Sequence, residues 1–168
     1  MKMSLQPYIN SLPLHVKRTI LLDSRIRTFI KKHHLLSLAT SANNQPYCAS
    51  CFYAFIENEP ILIIATDTQK TRHGKEALAN ETVAGVIALE TNIIGKIQGV
   101  QFTGIFKEAT AEEKRVYLKR FPYALALNPT LWSIHITYLK FTDNTLGFGK
   151  KLEFFAPNVS PNSFTCNA

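Results

Sequence analysis

A chain of 168 residues that is 46% hydrophobic, with 11 Phe, 6 Tyr and 1 Trp, holds enough apolar material for one packed core and less than two domains usually need. No run approaches the roughly 20 uncharged apolar residues of a membrane-spanning helix, and the first residues lack the charged, apolar and small-residue order of a signal peptide. The formal net charge of +7 is concentrated at one end: residues 1–34 carry seven Lys and Arg against Asp23 alone, and the rest is near balance.

These features predict a soluble, cytoplasmic protein with no membrane span, built as a single domain over residues 1–155 with a polar tail over 156–168. Three cysteines, one of them Cys166 in that tail, form no even disulfide framework, in keeping with a reducing compartment. The basic segment before Leu35 has two readings. Leu22, Ile26, Phe29 and Ile30 fall at helical spacing, which describes an amphipathic helix packed by one face with its charges in water. The alternative is a nucleic-acid-associated helix acting through its cations; nucleic acid is the less expected partner.

Past that helix the hydrophobic period changes. Leu35 to Thr40 reads as a strand, 41–46 as a turn, Tyr47 to Ile56 as a long aromatic-rich strand, and 57–60 as a hairpin into Ile61 to Thr66. A short helical segment over Glu76 to Asn80, a strand from Thr82 to Leu89 and another from Ile97 to Glu108 follow. Thr110 is placed to cap a helix with Glu112 and Glu113 in its first turn, and that helix breaks near Pro122. Trp132 to Phe141 alternates as a sixth strand, and Gly147 to Phe155 is a candidate seventh. The fold class expected is mainly β (α+β), a six- to seven-stranded antiparallel barrel with helical covers.

The segment richest in chemistry is Thr66-Asp67-Thr68-Gln69-Lys70-Thr71-Arg72-His73-Gly74-Lys75. Hydroxyls, a guanidinium, ammonium groups and a helix N-terminus following a strand can together hold a phosphate; the competing reading is a solvated polar loop. Cys48-Ala49-Ser50-Cys51 has C-x-x-C spacing, but an odd offset on a strand sends the two thiols to opposite faces. They are read as buried structural cysteines, and no metal site is expected. His33-His34 reads as a solvated helix end and His135 as a half-buried strand residue. Residues 140–151, with Gly147 and Gly149 flanking Phe148 ahead of Lys150, allow close backbone approach to a ligand beside an aromatic ring and a positive charge, or form a plain hairpin turn. No nucleophile elbow, P-loop or dinucleotide fingerprint is present.

This order of segments, with Gln45-Pro46-Tyr47, a strand ending in Thr66, then Thr71-Arg72-His73 and Asn80, resembles the FMN-binding split barrels related to pyridoxamine 5′-phosphate oxidase. Lys70 to His73, Gly99 to Phe102 with Gly104, and residues 140–151 resemble the uncharacterised YhbP-like bacterial proteins within that group. The resemblance implies a split barrel, FMN as cofactor, and a homodimer with two interface sites. It implies a flavin-dependent oxidoreductase of unknown substrate, for which no catalytic side chain is named because FMN itself carries the hydride. Carried over by position, Thr71 and Arg72 meet the phosphate, with Lys70 and His73 beside them. Thr66 approaches the phosphate or ribityl chain, Ala49, Ser50, Cys51 and Phe52 run along the ring, and Gln98 stands at the oxidase's Arg-Gln position. Asn144, Phe148 and Lys150 reach the partner subunit's site. The oxidase type has a basic residue in place of Ala49 and a Lys in place of His73. Some split barrels hold haem or another tetrapyrrole, which makes a haem-binding module, with His73 or His135 on the iron, the alternative.

Overall fold

The structure is a computed structural model and describes residues 22–147 and 151–157. Phe148, Lys150, most of the expected polar tail with Cys166, and the basic residues before Leu22 lie outside the described residues.

Helix α1 (Ser24–Lys32) begins where the Asp23 carboxylate accepts from the Arg25 amide at 2.8 Å. It buries Ile26, Phe29 and Ile30. Three of its four cations are paired, Arg25 with Asp23, and Arg27 and Lys31 with Glu57. The amphipathic reading therefore describes this helix. His33 closes it, its Nδ1 donating to the Phe29 carbonyl at 2.8 Å. The Arg120 guanidinium donates to the Lys31 and His33 carbonyls at 3.1 and 2.6 Å, which satisfies acceptors a helix end leaves open.

Strands β1 (Leu35–Ala42) and β2 (Gln45–Ile56) form a hairpin whose turn is only Asn43-Asn44. Both asparagines sit in the left-handed region, with φ of 51° and 60°, the geometry of a two-residue turn that matches strand twist. The six-residue turn expected from composition is thus mostly ladder, with Ser41 opposite Pro46 and Ala42 opposite Gln45. Strand β3 (Ile61–Ala65), helix α2 (Arg72–Ala79), strand β4 (Thr82–Ala88) and strand β5 (Gln98–Glu108) follow. Helix α3 (Ala111–Arg120) carries a full capping box, Thr110 and Glu113 each accepting from the other's backbone amide. Strand β6 (Leu131–Asp143) and edge strand β7 (Lys151–Phe155) complete the sheet.

All pairings are antiparallel, in the order β3-β2-β1-β4-β5-β6-β7, and β3 also pairs with β6 from Ile61 opposite His135 to Ala65 opposite Leu131. That extra pairing closes six strands into a barrel and leaves β7 as a seventh outside the closure. Leu36, Leu38, Tyr53, Leu62, Ile64, Ile87, Ile134 and Leu139 fill the interior. Tyr53 is fully buried and its hydroxyl donates to the Ile30 carbonyl at 2.6 Å, fixing α1 across the barrel. On the outside, α3 covers β2 and β3 through Tyr117, Ile63 and Ala54. No described helix is long and apolar enough to cross a membrane.

The register of β5 against β6 shifts between Thr103 and Gly104, a bulge that bends the wall. A Cβ on Gly104 would lie 2.7 Å from Ile134 Cγ2 and 2.8 Å from the His135 carbonyl oxygen. Gly104→Ala is expected to cost about 1–3 kcal/mol, the scale of overpacking in a tight core, read as a lowered urea midpoint. An unchanged midpoint would mean the bulge yields freely there.

Candidate functional site

Helix α2 starts earlier than its apolar pattern suggests, at Arg72 instead of Glu76, because Thr71 caps it. The Thr71 hydroxyl accepts from the Gly74 amide at 3.2 Å and donates to the Asp67 carbonyl at 2.8 Å. Gly74 is required: a Cβ there would lie 2.6 Å from that hydroxyl oxygen and 2.8 Å from the Thr68 Cα. The Lys75 amide reaches the Thr71 carbonyl, so of the first-turn donors the Arg72 and His73 amides remain for an incoming acceptor.

The hydroxyl and imidazole groups form a directed chain. Thr71 spends its one proton on Asp67, so its 3.0 Å bond with Thr66 requires Thr66 to donate. Thr66 then accepts at 2.8 Å from His73 Nε2–H. In its neutral form His73 is thereby the Nε2–H tautomer, with a lone pair on Nδ1. Burial lowers its pKa from the ordinary histidine value, outweighing the nearby Glu76 carboxylate. Thr71 is saturated by one donated and two accepted bonds, so its part in this arrangement is to build the helix end.

Arg72 is held from two sides. Its Nε donates to Glu76 Oε1 at 2.7 Å, and its guanidinium carbon lies 4.6 Å from the centroid of the Tyr47 ring. Glu76 in turn accepts from the Thr40 hydroxyl at 2.7 Å. Hydrogen bonds from Arg72 and Thr40 hold the Glu76 carboxyl below the usual carboxylate range. Only Nε of Arg72 is committed to this pair, and the side chain stays half exposed, so its terminal amino groups can serve a bidentate acceptor. Lys70 lies over Asp67 at 3.3 Å and is largely exposed. Sequence reasoning assigned Glu76 and Thr40 no place in this site, and named Tyr47 and Asp67 without a role in it. The Arg72–Glu76 spacing of four was a visible signal; Thr40, far away in sequence, gave none.

The remaining predicted residues divide by strand geometry. Cys48, Ser50 and Phe52 are exposed on the outer face of β2, whereas Cys51 is buried and Ala49 half-buried on the inner side. Residues 49–52 therefore do not share one face. The cysteines do go to opposite faces and are unbridged, but only Cys51 is buried; Cys48 is exposed, a correction to the expectation for both. Burial pushes the Cys51 thiol up to about 11. Gln98 and Asn144 stand far from Thr66. The Thr66 amide bonds the Thr130 carbonyl just before β6, whereas Gln98 pairs with Asp143 at the other end of that 13-residue strand, about 40 Å of extended chain away. The Asn144 side-chain amide donates to the Ile94 carbonyl at 3.0 Å. Among the described residues no group of three His, Cys, Asp or Glu side chains could hold a metal ion.

Because the folded state depresses the pKa of His73, its neutral form contributes stability that is complete above the unfolded value near 6.5 and declines as pH falls below it. Urea denaturation of the parent between pH 7.5 and 5 is expected to show this decline, and His73→Gln to show less of it. The same pH dependence in both proteins would place the titration elsewhere.

No family model matches the chain. It is 36% identical over 133 residues to a UPF0306 protein of Yersinia pseudotuberculosis, covering 77% of this chain and 90% of that one. A haem-binding protein from Mycobacterium smegmatis superposes with a TM-score of 0.63 at 14% identity, over 86% of this chain; the match spans 59% of the longer mycobacterial chain. An FAD-binding protein from Mesorhizobium loti superposes with a TM-score of 0.58 at 14% identity, over 70% of this chain and 92% of that one. The structural likenesses agree with the closed barrel as a split barrel, and the sequence likeness gives the family: the chain belongs to the UPF0306 family.

Proposed function

We propose that this protein is an FMN-binding split barrel of the YhbP-like type, acting as a flavin-dependent oxidoreductase on a small substrate. The observation that carries this reading is Arg72: anchored through Nε by Glu76, half exposed, and set at a helix N-terminus with two amides to spare. Those donors suit a terminal phosphate. The neutral His73, with Nδ1 open as an acceptor, suits a ribityl hydroxyl better than a phosphate dianion. Bound FMN would supply hydride transfer, while the chain would bind its phosphate and shape the space over Ser50 and Phe52.

A single copy does not bring Gln98 and Asn144 to Arg72, so we assign them, with Phe148 and Lys150, to the site of a second copy. The outer face of the sheet supports a homodimer. Its outward positions on β1, β2 and β4, among them Ser37, Ala39, Ser50 and Val86, are small or apolar and uncharged. Phe52 and Leu35, paired at its margin, are 59% and 51% exposed. A face this neutral on a chain of charge +7 fits self-association. Haem is the second reading, favoured by His73 alone: with Nε2 tied to Thr66, Nδ1 is free to ligate iron.

FMN is expected to quench on binding, and Arg72→Ala to weaken it by about 2 kcal/mol, the scale of a charge-assisted phosphate contact, with little change for riboflavin. Equal losses for both flavins would move Arg72 away from the phosphate, and a Soret band in the purified protein would favour haem. Sedimentation should give one species near twice 18.9 kDa; a monomer at micromolar concentration would remove the interface site.

A further inference from the structure

At the opposite end of β3 from Thr66, a cavity of about 420 Å³ opens between the turn before β3, the start of α3 and His135 of β6. Ile56, Ile61 and Val116 give it an aliphatic wall. Glu113, which also lines it, is only 9% exposed at its side chain, and its Oε2 is engaged twice, accepting from the Thr110 amide at 2.6 Å and the buried Ser133 hydroxyl at 2.9 Å. Among the described residues, Oε1 accepts no hydrogen bond.

The capping box that starts α3 needs one carboxylate oxygen, so the second is left over for the cavity. Burial by itself would raise the pKa of this carboxyl, yet the bonds from Thr110 and Ser133, with His135 nearby, hold it below the usual carboxylate range. A nearly buried anion therefore keeps half of its acceptor capacity unused, which favours any donor that can reach it. His135 Nε2 lies 3.8 Å from Oε1. That separation is too long for a direct hydrogen bond and leaves room for one donor group about 2.8 Å from each atom. Lys107 stands opposite Ser133 in the ladder, but among the described residues it makes no ion pair with Glu113, and it lines the neighbouring cavity instead.

We propose that this cavity binds a small primary alkylamine as its cation, the ammonium donating to Glu113 Oε1 and to Nε2 of neutral His135, and the alkyl chain lying against Ile56, Ile61 and Val116. An ammonium carries three N–H donors on one charged nitrogen, which suits two acceptors this close together. A quaternary ammonium brings the charge without a donor, and an alcohol brings one donor without the charge, so the preference for the primary amine is the signature of the site. The site is separate from the proposed flavin site and does not depend on it.

The test is a titration of the ¹⁵N-labelled full chain at pH 8 with butylamine, butyltrimethylammonium and 1-butanol, followed by amide shifts and by the His135 ring nitrogens. Saturable shifts at Thr110, Glu113 and His135 are expected with butylamine, and binding at least about tenfold weaker with either analogue. Glu113→Gln keeps an oxygen for Thr110 and Ser133 while turning an amino group toward the cavity, and should weaken butylamine about tenfold or more with the fold retained. His135→Leu, at a half-exposed position, should weaken it about fivefold or more and carries the test if Glu113→Gln lowers the melting temperature. Absence of saturable shifts with butylamine at millimolar concentration would overturn the site. Equal binding of butyltrimethylammonium or 1-butanol, or unchanged affinity in the folded variants, would overturn the assignment of the ammonium to Glu113 and His135.

Discussion

The pairing of β3 with β6 is the constraint on which the rest of this structure depends. An open sheet of seven strands would leave β3 as an edge. Closing it onto Leu131 to His135 fixes which side of every strand faces inward, because side chains alternate along each strand. The closure also brings the end of β3 beside Thr130, and so places the Thr66 loop at one end of β6 while Gln98 and Asn144 stay at the other. The division of the candidate site into two distant groups follows from the barrel itself.

Much of the fold was legible because its signals are local. The strand alternation, the Thr110 cap and the two hairpins each rest on residues a few positions apart, and each falls within a residue or two of its expected place. The start of α2 was not legible, since its cap works through Gly74 and a hydroxyl chain in which Thr66 lies five residues from Thr71. The alternation of residues 49–52 was available from strand geometry and conflicts with running all four along one ring. The closing pair of β3 with β6 is long-range, and no local period announces it. The exposure of Cys48 also escaped the sequence, since α3 covers the outer face of β2 at Ala54 and leaves it open at Cys48.

Electrostatics in the candidate site is more balanced than its string of cations implies. Lys70 lies against Asp67 and Arg72 against Glu76, so the loop presents oriented donors with little excess charge. Glu76 fixes the guanidinium before any ligand arrives, which lowers the ordering cost of binding while leaving a competitor for an anion's charge. His73, whose pKa burial lowers, in its neutral form adds an acceptor in place of a third cation. Such a loop favours a ligand with both an anionic end and hydroxyl groups, in keeping with the proposed FMN.

The central claim is that the uncharged outer face of β1, β2 and β4 is where two copies meet and complete the flavin site. Ser37 is exposed on that face, between Ser50 and Val86 in the register, and is absent from the Arg72 network. The direct measurement is sedimentation of Ser37→Arg in the presence of FMN, followed by flavin absorbance across the boundary. The account predicts a folded monomer that carries no flavin. A dimer with bound FMN, or a monomer that binds FMN as tightly as the parent, would contradict it.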